Sequence, residues 1–197
     1  MTSPSLPVHT ERLLLRPFET TDLEAVMGYH TLPAMQRYLD WKTRDRAEVK
    51  AALDQMRNQK SLTRPGDSVF LAVERQTDAQ VIGQLCLRWS DATAQQAELR
   101  FVFNPVHSRQ GYAKEAVKAA LTMGFDEFHF HRIFARCDAR NAASARLMKG
   151  LGMRLEAHYR EHALFQGEWD EELHFAILDR EWQRSSKVRE LSAHKVA

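Results

Sequence analysis

The sequence predicts a mixed α/β domain of about seven strands and four main helices. Three observations carry this. Apolar-rich runs at Val69–Glu74, Val81–Trp89 and Arg132–Asp138 read as strands, and Ala97–Phe103 alternates with period two. Between the last two lies a stripe of helical spacing: Ala113, Ala116, Val117, Ala120, Leu121 and Phe125. The chain has 197 residues with no internal repeat, low-complexity tract or linker, which suits one domain with a sizeable core.

Leu13-Leu14-Leu15 begins a first strand that ends at Pro17. Thr20 to Glu24 then combine N-cap and first-turn acidic signals for a helix running to about His30, interrupted by Pro33. A second helix is expected from about Asp45 to Ser61, with Ala47, Ala51, Leu53 and Met56 inward. Pro65-Gly66-Asp67 reads as a turn, and Val69–Glu74 and Val81–Trp89 as an antiparallel pair. Ala97–Phe103 is the fourth strand and Arg132–Asp138 the fifth. After a helix opening at Asn141, Arg154–Leu164 and Glu171–Leu178 form a closing hairpin. Residues 1–9 read as a flexible lead, 10–182 as the domain, and 183–197 as a polar tail.

Composition narrows the function. The net charge of +2 argues against nucleic acid as the main partner. The two cysteines, Cys86 and Cys137, fall in separate strands without metal-pair spacing and read as reduced thiols of a cytoplasmic protein. Residues 1–9 lack a charged start and an apolar segment, so no signal peptide is expected. No apolar run is long enough for a membrane span, so a membrane partner is not expected.

The segment Asn104-Pro-Val-His-Ser-Arg-Gln-Gly-Tyr-Ala-Lys-Glu115 links the fourth strand to the helix after it. A glycine-containing turn opening a helix presents N–H groups that have no intrahelical partners. The helix dipole adds positive potential at the same place. The junction suits a phosphate or pyrophosphate. Gly111 allows close backbone approach and Ala113 leaves the first turn uncrowded. Neither the P-loop pattern nor a full G-x-G-x-x-G is present, and an ordinary strand-to-helix turn is the alternative.

Downstream, Asn141-Ala-Ala-Ser-Ala-Arg-Leu-Met-Lys-Gly-Leu-Gly-Met153 begins with an N-cap residue and carries a C-cap glycine, Gly152. Ser144, Leu147, Met148 and Leu151 share one side of this helix. Taken with Thr10-Glu-Arg-Leu-Leu-Leu-Arg-Pro17, Asn104-Pro105, Gly111-Tyr-Ala-Lys-Glu-Ala116 and Gly167-Glu168-Trp169, the chain resembles the GNAT superfamily of acyl-CoA-dependent N-acyltransferases. Within it the chain looks most like the branch containing the ribosomal-protein N-terminal acetyltransferases. The resemblance spans residues 10–182. It implies a mixed, mostly antiparallel sheet whose fourth and fifth strands splay apart, with the acyl-CoA arm in the gap.

Amide formation from a thioester needs a proton acceptor for the amine, stabilisation of the oxyanion and a path for the thiolate to leave. The resemblance nominates Glu98 as the base. Period two places it with Arg100 and Val102 on one face. The alternative is a glutamate paired with Arg100 or with a neighbouring strand, and a close guanidinium would lower its basicity. The resemblance nominates Ser144 as the acid, because Met148 stands where many GNAT enzymes carry a tyrosine. The alternative is a serine bonded back to the carbonyl of Arg140. Acetyl-CoA is the implied co-substrate. Its pyrophosphate would meet Ser108, Arg109, Gln110, Gly111, Tyr112, Ala113 and Lys114. Its pantetheine arm would meet Phe101, Val102, Phe103 and Asn141. Ser108 departs from the Gln, Arg or aromatic common at that place.

No metal is expected, since His129, His131, His158 and His162 lack a completing ligand. The expectation is therefore an N-acetyltransferase acting by direct transfer on a primary amine, either a protein N-terminus or a small molecule. The alternative is a non-catalytic acyl-CoA sensor on the same fold. The segment from Tyr29 to Arg46 is expected to shape the acceptor side, and the protein to be a monomer or homodimer.

Overall fold

The computed structural model describes residues 4–36, 38, 44–165 and 167–184. Its centre is one eight-stranded sheet in the order β1-β2-β3-β4-β5-β6-β8-β7. The strands are β1 (Val8–His9), β2 (Leu13–Arg16), β3 (Ser68–Arg75), β4 (Gln80–Asp91), β5 (Gln96–Phe103), β6 (Arg132–Asp138), β7 (Arg154–Phe165) and β8 (Glu168–Leu178). The helices are α1 (Leu23–His30), α2 (Pro33–Gln36), α3 (Arg46–Asn58), α4 (Tyr112–Asp126) and α5 (Ala142–Gly150). The fold class matches the expectation, with one strand more than the seven anticipated. The extra strand, β1, lies inside the lead expected to be flexible: Val8 pairs with Leu15 and His9 with Leu14. A two-residue strand leaves no period to read.

β5 and β6 are joined through α4 and pair parallel, whereas the other described strand pairs are antiparallel. The parallel pairing covers only Gln96↔Arg132, Ala97↔Ile133 and Glu98↔Phe134. Beyond Glu98, β5 continues to Phe103 against β4 alone. This is the splay that the resemblance implied, and it positions the site.

The sheet separates two apolar layers. On one face, Leu99, Ile133 and Phe175 pack with Ala116, Val117, Ala120 and Leu121 of α4 and Met148 of α5. On the other, Ala72, Val81 and Val102 pack with Val26 and Tyr29 of α1 and Val49, Leu53 and Met56 of α3. Alternate residues of β5 therefore serve different layers, which makes both faces of this strand apolar.

The local details correct several expectations. Asp45 caps α3 with a capping box, its side chain accepting from the Glu48 N–H at 2.8 Å while Glu48 returns the bond. The inward face of α3 is Val49, Leu53 and Met56, an i, i+4, i+7 stripe, while Ala47 and Ala51 are exposed. Small alanines were a poor guide to the buried face where larger apolar residues were available. α1 ends at His30 as expected, and Pro33 opens a separate short helix, α2, because the first helical position tolerates a missing N–H. β8 begins at Glu168, so the Gly167-Glu168-Trp169 segment opens the strand of the closing hairpin. Residues 183–184 belong to a helical segment over 179–184, and the rest of the expected tail, 185–197, lies outside the described residues. Parts of the acceptor-side segment, 37 and 39–43, lie outside them too.

Candidate active site

Where β5 and β6 part, a cavity of about 630 Å³ opens through the sheet. Its wall includes Glu98, Phe101, Val102, Asn141 and Ser144, five of the residues nominated from sequence. The turn from Ser108 to Lys114 and the side chain of Phe103 lie outside that wall. A ligand reaching from the turn to the cavity would run along the β5 edge, whose backbone groups past Glu98 have no partner on β6.

The turn is built for an anion. Asn104 caps a short 3-10 turn, its Oδ1 accepting from the Val106 N–H at 3.1 Å, with Pro105 at the first position. The chain then passes through two left-handed residues, Arg109 at φ +62° and Gly111 at φ +83°. Arg109 carries real strain there, because a side chain disfavours this region. Gly111 is the N-cap of α4, and no side chain caps that helix start. The N–H groups of Tyr112, Ala113 and Lys114 thus have neither intrahelical nor capping partners. A fifteen-residue helix adds its dipole. These features fit a pyrophosphate, and they fit a ligand whose remaining length needs the adjacent strand edge.

α5 brings Asn141 and Ser144 to the other end of the gap. Asn141 Oδ1 accepts the Ser144 N–H at 3.0 Å, as a cap does. The helix ends in a Schellman arrangement. Gly152 N–H bonds the Lys149 carbonyl and Met153 N–H the Met148 carbonyl, both at 3.0 Å, with Gly152 at φ +92°. Met148 and Leu151 are fully buried, which fixes the rotation of α5 and turns Ser144 to the cavity. The Ser144 hydroxyl forms no hydrogen bond among the described residues, so the alternative bond to Arg140 is not made.

On the opposite face, Glu98 is 3% exposed. Its Oε2 accepts from Arg100 Nη2 at 2.7 Å and its Oε1 from Arg136 Nε at 2.9 Å. Burial disfavours the charge, but the two guanidiniums outweigh it and hold the carboxyl below the usual range. Glu98 is therefore a charged anchor and a weak base. Arg136 also reaches Glu172 of β8, with Nη1 at 3.4 Å from Oε1. His174 Nε2 lies 2.6 Å from the same Glu172 oxygen.

The wall facing these residues is polar as well. Tyr29 donates to Gln84 Oε1 at 3.1 Å, and His30 Nε2 lies 2.9 Å from that oxygen. Arg44 Nη1 lies 3.2 Å from His30 Nδ1. Burial pushes the His30 imidazole below its ordinary value and the Tyr29 hydroxyl above its own. Cys86 and Cys137 also reach the cavity, and burial pushes both thiols up to about 11. They are neutral near pH 7 and poor nucleophiles. Among the described residues, no group of three or more His, Cys, Asp or Glu could hold a metal ion.

Sequence reasoning missed Arg136, His174 and Gln84, while His30 lies within the Tyr29–Arg46 segment expected to shape the acceptor side. For His174 a signal existed: with Asp170 and Glu172 it shares one parity on β8. For Arg136 none did, because its partner Glu98 is 38 residues away and the pairing follows from topology.

The chain's sequence matches the family described as acetyltransferase (GNAT) domain over residues 12–154. It is 33% identical over 177 residues to the uncharacterized N-acetyltransferase YnaD of Bacillus subtilis (strain 168), covering 89% of this chain and 98% of that protein. Its fold superposes on an acetyltransferase (GNAT family) from Bacillus anthracis with a TM-score of 0.80 and 28% identity, over 89% of this chain and 99% of that one. The spermidine N-acetyltransferase from Vibrio cholerae, solved with CoA and spermine, shares the fold: TM-score 0.75, 19% identity, 88% of this chain and 99% of that one.

Proposed function

Because the chain belongs to the GNAT acetyltransferase family, we propose that it moves the acetyl group of acetyl-CoA directly to a primary amine. One observation carries this reading: the sheet has two faces, and the β5/β6 gap is where they meet. The α4–α5 face offers an uncapped helix start, a free strand edge and the Ser144 hydroxyl. The α1–α3 face offers carboxylates, guanidiniums and a neutral imidazole. Thioester and amine would approach from opposite sides and react in the gap.

In this reading the Tyr112–Lys114 N–H groups bind the pyrophosphate, with Ser108, Arg109 and Gln110 shaping the turn. Backbone groups of Phe101, Val102 and Phe103, with Asn141, hold the pantetheine arm. Ser144 gives its proton to the departing thiolate, whose ordinary pKa near 8.5 makes only modest demands on the acid. Glu98, the sequence's candidate base, instead holds Arg100 and Arg136 in place. The relatives named as N-acetyltransferases favour an enzyme over an acyl-CoA sensor.

The acceptor is a protein N-terminus or a small-molecule amine. The Thr10–Pro17 and Gly111–Ala116 motifs support the first through their likeness to the ribosomal branch. The CoA and spermine complex of the V. cholerae relative supports the second. Two free thiols suit the reducing cytoplasm. A screen of N-terminal peptides, amino acids and polyamines with acetyl-CoA, following thiol release, tests the reading. Turnover of one class over the others names the acceptor. No turnover, despite coenzyme A binding, restores the sensor.

A further inference from the structure

Glu98 cannot serve easily as the proton acceptor, yet an ammonium must lose its proton before it attacks. Another carboxylate on the same face is better placed. Glu172 lines the cavity with its side chain 20% exposed, and His174 Nε2 lies 2.6 Å from its Oε1. His174 stands two residues along β8, opposite Arg136 of β6. Its ring packs edge-on against Tyr159 of β7, centroids 4.7 Å apart, and its side chain is 27% exposed. One member of the pair thus faces the cavity and the other leads outward.

We propose that Glu172, positioned by His174, takes the proton of the acceptor ammonium. The N–H bond breaks, the proton binds the Glu172 carboxylate, and the nitrogen keeps the electron pair that attacks the thioester carbonyl. Glu172 then releases this proton to solvent, while His174 Nε2–H, donating to Oε1, holds the carboxylate in place. The second proton of the nitrogen goes, after attack, to the thiolate through Ser144. Ammonium and thioester become amide, thiol and one proton released.

The surrounding charges agree with this division. Arg136 touches Glu98 at 2.9 Å but Glu172 only at 3.4 Å, so it is committed first to Glu98. Asp138, opposite Glu172 on β6, is taken up by Arg140 at 2.6 Å. Asp170 and His162 are the remaining titratable side chains on the hairpin side of the cavity. Glu172 thus meets one guanidinium at 3.4 Å, whereas Glu98 is held by two at 2.7 and 2.9 Å.

The proposal rests on the acetyltransfer reading, and its test separates the two. Acetyl-CoA and four amines are used: glycinamide, lysine, spermidine and a tripeptide beginning with serine. Thiol release is followed from pH 6 to 9.5 with the fastest amine. Glu172→Gln is expected to lower kcat/KM for the amine about 10²-fold or more at pH 7. KM for acetyl-CoA stays unchanged, and the deficit shrinks as pH approaches the amine pKa. Glu172→Asp recovers part of the loss. His174→Gln loses about tenfold and changes the acidic limb of the pH profile. Arg136→Gln, which leaves the pair intact, keeps the wild-type limb. Equal losses in Glu172→Gln and Arg136→Gln with an unmoved pH profile would overturn the proposal alone, reducing Glu172 to a prop for Arg136. If Glu172→Gln does not fold, His174→Gln decides on the same limb. A wild-type chain that releases no thiol with any of the amines overturns the acetyltransfer reading, and the proposal falls with it.

Discussion

Arg12 and Glu115 lock the turn between β1 and β2 to the first turn of α4: both Nε and Nη2 of Arg12 lie 2.7 Å from Glu115 Oε2. The other oxygen of Glu115 accepts from the Arg12 backbone N–H at 2.8 Å and from Thr10 Oγ1 at 2.6 Å. Arg12 Nη1 meanwhile donates to the Gln110 carbonyl at 2.9 Å, inside the turn proposed to hold the pyrophosphate. The Thr10-Glu-Arg and Gly-Tyr-Ala-Lys-Glu motifs are thus two halves of one device. The first clamps the second, and with it the strained Arg109 and the left-handed Gly111.

Replacing Glu115 by Gln should therefore cost both stability and coenzyme A affinity. Hydrogen bonds to charged groups contribute roughly 1.5–3 kcal/mol. Burial raises the carboxyl pKa, but Thr10 and Arg12 more than compensate, so it titrates below its usual value. A depressed folded pKa means the contribution is present above about pH 4.3 and is lost as pH falls through the folded value. Melting curves of wild type and Glu115→Gln should differ at pH 7 and converge only as pH falls through the folded value. A constant difference across that range would show that the charge is not what the clamp uses.

Gly111 gives the second expectation. At φ +83° any residue with a Cβ is strained, and an added Cβ would lie 3.3 Å from Arg12 Nη2. Gly111→Val should weaken coenzyme A binding about tenfold or more, on the scale of roughly 1–3 kcal/mol for such backbone strain. Gly111→Asn, whose side chain tolerates the left-handed region better, should lose less. Calorimetric titration with coenzyme A reads both; equal affinity for wild type and a folded Gly111→Val removes the pyrophosphate from this turn.

Ser144 offers a cleaner kinetic test, since its hydroxyl supports nothing else among the described residues. Ser144→Ala should lower kcat by tens-fold or more, in line with the roughly 10²–10⁴ typical of positioned acids, with KM for acetyl-CoA nearly unchanged. A rate within about threefold of wild type would mean the thiolate leaves unaided or by another donor.

What the sequence disclosed follows a physical line. Arg132–Asp138 has the bounds read from its apolar-rich run, because a strand buried on one side and flanked by turns writes its pattern locally. Asn141 and Gly152 were legible because caps obey short-range rules. The two-residue β1 is too short for a period, and the inward face of α3 was misplaced by trusting alanines over Val49. At the site, Glu98 was found but its state was not. Arg100 at i+2 is visible in sequence, whereas Arg136 arrives through a parallel pairing that skips α4. The Glu172–His174 contact depends on side-chain reach along β8, which parity permits but does not determine.

Glu98→Gln brings these threads together. The buried carboxylate is shared by Arg100 and Arg136, so losing its charge weakens both pairs. Because the two arginines are half exposed, the cost should fall below the roughly 3–5 kcal/mol of a fully buried pair, and a lower melting temperature at pH 7 should show it. The folded pKa of Glu98 is depressed: burial opposes the charge but the two arginines prevail. Its stabilisation therefore exists above the unfolded pKa and disappears only as pH falls through the folded one, so wild type and variant should converge only in acid. Between pH 6.5 and 9 Glu98 does not change charge. Any catalytic defect of Glu98→Gln should then be constant with pH, the mark of displaced arginines. A base would behave differently. An N-terminal amine, with a pKa near 7.7–8.0, supplies its own free base as pH rises, and loss of a base would be progressively forgiven. Rate profiles of Glu98→Gln that recover towards pH 9 would return the role of base to Glu98 and take it from Glu172.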